Sequence, residues 1–132
     1  MTQGHQPGVT ADSARAIGDC AIRAMSAVTG ADWDTVFAHA QTDFTRTGLN
    51  AGGIARTLRA LGWQMQPLYP VLDLTAGQAE RYLQAHHPQE RVLAQIVVRR
   101  MRHAIAFSDG RFQNLQGATR ARIRLADLCT RL

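Results

Sequence analysis

The hydrophobic pattern of this chain changes once, near residue 90, from helical spacing to strand-like runs. Before that point, four segments place apolar residues three or four positions apart, each behind a residue suited to cap a helix. After it, the apolar runs 92–98 and 103–107 are followed by Asp109-Gly110, a strong signal for a two-residue hairpin turn. Two further strands are predicted after the turn, a return strand over 112–115 and a half-buried strand over 121–125. Helices followed by an antiparallel meander predict an α+β fold.

Length and composition favour one folded unit. The chain has 132 residues, of which 45% are hydrophobic and 19% charged, as in globular proteins with a real core. We expect a single domain over 1–132, in which the polar segment 1–12 is a flexible tail. No apolar run is long enough to span a bilayer, and no signal peptide is recognisable, so we expect a cytoplasmic protein that does not insert into membranes.

Positive charge is concentrated in the last third of the chain. All 15 basic residues are arginine, and nine of them follow residue 90, against only Asp109 and Asp127. A basic segment of this kind suggests an acidic protein or a nucleic-acid complex as a partner. The alternative is a set of solvated arginines without a partner, because no nucleic-acid-binding motif accompanies them.

The two cysteines, Cys20 and Cys129, lie far apart and lack CxxC or histidine-ligand spacing. In a reducing compartment this favours two thiols over a disulfide. We therefore predict no metal site and no cofactor.

Cys20 directly follows Asp19, a good N-cap residue, at the head of an apolar helical pattern. A thiol at this position meets unsatisfied N–H groups and the positive end of the helix dipole, which favour the nucleophilic thiolate. The alternative is that Cys20 is simply a small buried residue, the more common role of such a cysteine.

A base for such a nucleophile is found on the predicted hairpin. If Asp109-Gly110 forms the turn, Ile105 lies opposite Asn114, and His103 shares a face with Ile105. Asn114 is then a diagonal neighbour of His103, within reach of its side chain. Cys20, His103 and Asn114 would together follow the Cys-His-Asn logic of papain-like sites.

Several short segments occur in a characteristic order along the chain. They are 18–24, with the sequence Gly-Asp-Cys-Ala-Ile-Arg-Ala, then 27–30, 33–37, 46–48, 61–63 and 103–110, followed by Asn114. In this order they resemble small phage-encoded papain-like cysteine peptidases and, more distantly, bacteriocin-leader peptidases. The resemblance implies a central Cys-bearing helix packed on a C-terminal antiparallel sheet. It also implies that Cys20 is the nucleophile, His103 the base and Asn114 the orienting residue, where the family usually has aspartate.

One feature of papain-like sites is missing from the sequence. These enzymes commonly place a glutamine or asparagine a few residues before the cysteine to bind the oxyanion, but position 14 is alanine. Gln6 would serve only if the tail folds back; otherwise the backbone N–H of Cys20, next to Asp19, remains as a donor.

Two functions follow as expectations. The first is a cysteine-dependent hydrolase that cleaves peptide, isopeptide or related amide bonds in a peptide or protein substrate. The alternative is a catalytically inactive binding protein on the same fold, such as a phage accessory or anti-host factor, that uses the basic surface.

Overall fold

The computed structural model describes residues 9–98, 101–113 and 122–132, with side chains described except at 67–72, 95–98, 101–103, 122, 124–128 and 130. The helices are α1 (Ala11–Ile17), α2 (Cys20–Thr29), α3 (Trp33–Ala40), α4 (Ala51–Ala60) and α5 (Ala76–His86), with a 3₁₀ turn at Gln41–Asp43. The strands are β1 (Trp63–Thr75), β2 (Val92–Val98), β3 (Met101–Ser108), β4 (Arg111–Phe112) and β5 (Arg122–Arg131). The predicted α+β class is confirmed.

The described strands form one antiparallel sheet in the order β1-β5-β2-β3-β4. Ser108 pairs with Arg111 across Asp109-Gly110, so the predicted hairpin turn is confirmed. The last strand, β5, inserts between β1 and β2 rather than continuing the meander. As a result β1 and β2 run parallel, and α5 connects them across one face of the sheet.

The sheet has a hydrophobic cluster on each face. The larger cluster packs residues of α1 to α4 against Leu93, Ala104 and Ala106. The smaller cluster packs α5 against the alternate positions of the same strands, among them Ile105 and Phe107. Side chains of a strand alternate between faces, and the described side chains at 92–94 of β2 and 104–107 of β3 are buried on both faces, as expected for continuous apolar runs.

Helix α2 is the central helix of the larger cluster. Its side chains Ile22, Met25 and Val28 are fully buried, and α2 packs more extensively on β3 than any other helix does on a strand. Gly18 precedes it with φ of 135°, and Gly30 ends it in the left-handed conformation that glycine adopts without strain. Small and medium side chains around the helix allow this burial on several sides.

Three predicted boundaries differ in the structure. Residues 9–12 are not part of a loose tail, because Thr10 caps α1 and the Val9 carbonyl accepts a hydrogen bond from Gln41 Nε2 at 3.1 Å. The return strand predicted over 112–115 is Arg111–Phe112, with positions 114–115 outside the described residues. The predicted strand 121–125 is β5, which extends to Arg131 because it pairs along β1.

No helix in the described ranges combines the length and the apolar character that crossing a bilayer requires.

The cap of α3 makes the stability of the fold dependent on pH. The Asp32 carboxylate accepts hydrogen bonds from Thr35, including its backbone N–H at 2.8 Å, and these bonds hold the pKa of Asp32 below its ordinary value. A lowered carboxyl pKa stabilises the fold above the unfolded value, and that contribution is lost as pH falls through the folded value.

We therefore expect Asp32→Asn, which retains a capping oxygen but does not titrate, to remove part of the acid sensitivity. Urea denaturation of both proteins, followed by circular dichroism from about pH 6 to about pH 3, should show wild type losing stability relative to the variant below about pH 5. A difference between the two proteins that stays constant with pH would contradict this assignment.

Candidate functional site

Cys20 is the first residue of α2, and its side chain is partly buried against the larger cluster. The first hydrogen bond of the helix runs from Arg23 N to the Asp19 carbonyl at 2.9 Å. The N–H groups of Cys20, Ala21 and Ile22 therefore precede the intrahelical ladder, where an anion is favoured. A thiolate at Cys20 would lie beside these donors.

Asp19 occupies the predicted cap position of α2, but its side chain does not cap the helix. Its backbone has φ of −108° and ψ of 23°, outside the extended region that turns a capping carboxylate toward the first turn. Instead, Oδ2 accepts a hydrogen bond from Trp33 Nε1 at 2.8 Å, and Oδ1 lies 3.1 Å from Arg23 Nε. The prediction of a side-chain cap at Asp19 is wrong, because an indole and a guanidinium compete for the carboxylate.

Trp33 connects this carboxylate to two other helices. Its ring stacks on Phe37 in α3 with centroids 5.0 Å apart, and the Arg15 guanidinium of α1 lies 3.9 Å from its centroid. We call Asp19, Trp33, Arg23 and Arg15 the Asp19 cluster. It holds the start of α2 against α1 and α3, and therefore positions Cys20.

In the sequence, helical spacing with Val36 and Phe37 marks Trp33 only as an apolar residue of a helix. Its hydrogen bond joins residues 14 positions apart, and no local pattern signals such a contact.

His103 is the third residue of β3, where its backbone pairs with Ile96. Alternate residues of a strand share a face. Position 103 therefore lies on the same face of β3 as Ile105 and Phe107, which pack with α5 in the smaller cluster. The residues of β3 that pack in the cluster of α2 are Ala104 and Ala106. Strand alternation therefore assigns position 103 to the face of the sheet under α5, opposite the face that α2 covers.

The C-terminal end of α2 is tied to the residue that precedes β2. Arg91 donates from a guanidinium nitrogen to the Val28 carbonyl at 2.8 Å, which fixes the C-terminal end of α2 beside the start of β2. That end of β2 pairs with Phe107, near the end of β3. Helix α2 also lies over β3, where Ala104 and Ala106 pack in its cluster.

Ala14, Gln6 and Asn114 are the positions that concern the predicted oxyanion hole and the predicted orienting residue. Ala14, at the position where papain-like enzymes carry an amide, is buried in α1 and offers no side-chain donor. Gln6 and Asn114 lie outside the described residues. Gln113 N donates to the Ala106 carbonyl at 2.7 Å, so the register predicted for the hairpin continues to the residue before Asn114.

No disulfide joins Cys20 and Cys129. Within the described part of the chain, no three His, Cys, Asp or Glu side chains are grouped in a way that could hold a metal ion.

The Asp19 cluster predicts an energetic coupling between α2 and α3. We expect Trp33→Phe and Asp19→Ala to be non-additive, with a coupling free energy of about 1 kcal/mol or more, because each substitution removes the same charge-assisted hydrogen bond. Urea unfolding of both single variants and the double variant measures this coupling.

Trp33→Phe combined with Asp43→Ala is the matched control. Asp43 is bonded to Arg56 rather than to Trp33, so this pair should be additive within about 0.5 kcal/mol. Additivity of the Trp33 and Asp19 substitutions would contradict the role assigned to the cluster.

No protein-family model matches this sequence, and neither a curated protein nor a solved structure is significantly similar to it. The functional assignment of the chain therefore depends on its own residues and their geometry.

Proposed function

We propose that this chain is a cysteine-dependent hydrolase of peptide, isopeptide or related amide bonds on a papain-like fold. The observation that carries the proposal is a partly buried Cys20 thiol at the first position of a central helix that packs on an antiparallel sheet. The Asp19 cluster supports it by holding that end of the helix in place. Cys20 is the nucleophile, His103 the base and Asn114 the residue that orients the base.

In the proposed reaction, His103 takes the proton of the Cys20 thiol, and the thiolate attacks the substrate carbonyl carbon. The resulting imidazolium protonates the leaving amine as the amide C–N bond breaks, which leaves a thioester on Cys20. Water, deprotonated by His103, then cleaves the thioester and releases the carboxylic acid and the thiol. The backbone N–H of Cys20 stabilises the oxyanion.

The absence of an amide at position 14 predicts a slow enzyme. Loss of one oxyanion donor typically lowers the rate by about 100- to 1000-fold, so turnover should be well below that of enzymes with a complete hole.

The test is the pH dependence of Cys20 alkylation by iodoacetamide, followed by intact mass and peptide mapping. We expect Cys20 to be alkylated readily near neutral pH, because the helix start and an imidazolium both favour the reactive thiolate. Cys129 is only 1% exposed and should react slowly in the same sample. His103→Ala should slow the alkylation of Cys20 near neutral pH.

The matched control is His39→Ala, since His39 is an exposed histidine of α3. It should leave the Cys20 profile unchanged, and Cys20→Ala should abolish amide hydrolysis in a fluorogenic peptide screen. Alkylation of Cys20 at the same rate in wild type and in His103→Ala would refute the proposed site.

The second candidate is a catalytically inactive binding protein on the same fold. Two observations favour this candidate. Position 103 shares a face of β3 with Ile105 and Phe107 of the smaller cluster, and Ala14 is buried and offers no side-chain donor for an oxyanion. Its partner would be an acidic protein or a nucleic-acid complex held by the arginine-rich last third of the chain.

This candidate predicts binding that survives Cys20→Ala and weakens steeply between about 50 mM and about 200 mM salt, because release of counterions contributes to affinity. Fluorescence anisotropy with a labelled duplex and with an acidic peptide measures it. Affinity that does not change with salt would rule this candidate out.

A further inference from the structure

A small cleft lies at the C-terminal end of α2, away from Cys20. It has a volume of about 280 Å³ and forms where β1 begins, β5 ends and the chain enters β2. Its lining residues are Trp63, Gln89, Glu90, Arg91, Cys129 and Arg131. None of these residues belongs to the proposed hydrolase site.

Two guanidinium groups lie close to the Trp63 indole in this cleft. The central carbons of Arg91 and Arg131 lie 5.7 and 5.2 Å from the ring centroid, within the range of cation–π attraction. Trp63 is only 8% exposed, so its ring offers little surface on which a ligand could stack.

The Arg91 guanidinium is also held by the fold itself. One of its nitrogens donates to the Val28 carbonyl at 2.8 Å, which leaves the other donors of the group for a ligand. Within the described residues, neither Arg91 nor Arg131 forms an ion pair with a carboxylate. The cleft therefore presents two positive groups that form no ion pair with a described carboxylate, although Glu90 also lines it.

We propose that this cleft binds a phosphate group. Guanidinium groups match the geometry of phosphate oxygens and form charge-assisted hydrogen bonds with them. Two such groups suit a dianion better than a singly charged carboxylate, since each added charge is attracted by both. Glu90 lines the same cleft and lowers the affinity, because its carboxylate repels the ligand. This site is independent of the proposed hydrolase reaction.

The test uses the full chain labelled with ¹⁵N and follows the two tryptophan indole N–H signals during titration with inorganic phosphate at constant ionic strength. The Trp63 signal should move saturably, while the Trp33 signal stays in place as an internal reference. Sodium acetate at the same ionic strength should not produce a saturable change.

Charge variants give opposite expected effects. Arg131→Gln should weaken phosphate binding about tenfold or more, since a charge-assisted hydrogen bond is lost. Glu90→Gln should tighten it by about two- to fivefold, since a like charge is removed. Arg59→Gln, at an exposed position of α4, is the matched control and should leave the affinity unchanged.

A second titration compares a 5′-mononucleotide with its unphosphorylated nucleoside. Only the phosphorylated compound should bind, and its affinity relative to inorganic phosphate distinguishes a monoester from the free ion. The proposal is overturned if the Trp63 signal does not saturate, or if acetate or the nucleoside binds as tightly as the phosphate compounds. It is equally overturned if Arg131→Gln has no effect or Glu90→Gln weakens binding.

Discussion

The packing of α2 on β3 is the interaction on which the rest of this structure depends. Ala104 and Ala106 of β3 lie in the same cluster as Ile22, Met25 and Val28 of α2, and the alanines let the helix approach the sheet closely. A larger side chain at either alanine would have to displace the helix, because protein interiors are packed without spare volume. The depth of this contact also sets how far Cys20 is buried.

Polar contacts at the two ends of α2 fix where that packed helix begins and ends. At the start, Asp19 bonds to the Trp33 indole and pairs with Arg23, while at the end the Val28 carbonyl accepts from Arg91. Hydrophobic burial alone is non-directional and would allow a helix to slide along an apolar surface. The hydrogen bonds are directional, and they bring α2 into a defined position relative to α3 and to the start of β2.

The two ends of α2 lie in regions with different chemistry. One is the start of α2, with its thiol and helix N–H groups. The other is the cleft at the opposite end of α2, where Arg131 of β5 lies beside Trp63 of β1. Several arginines of the last third, among them Arg111 and Arg131, belong to strands of the sheet. Arg91 and Arg131 also lie against the same indole, that of Trp63.

The sequence by itself determined the features that depend on neighbouring residues. Gly18 and Gly30 delimit α2 around Cys20, and Asp109-Gly110 forms the turn that sets the register of β3 and β4, because glycine conformation and turn chemistry act within a few residues. Only the tertiary structure decided which side chains bond to Asp19 and which face of the sheet α2 covers relative to position 103. It also decided that Arg91 and Arg131 lie against Trp63. The hydrogen bond of Arg91 to Val28 spans 63 positions, and such contacts arise from how the elements pack, which no local pattern encodes.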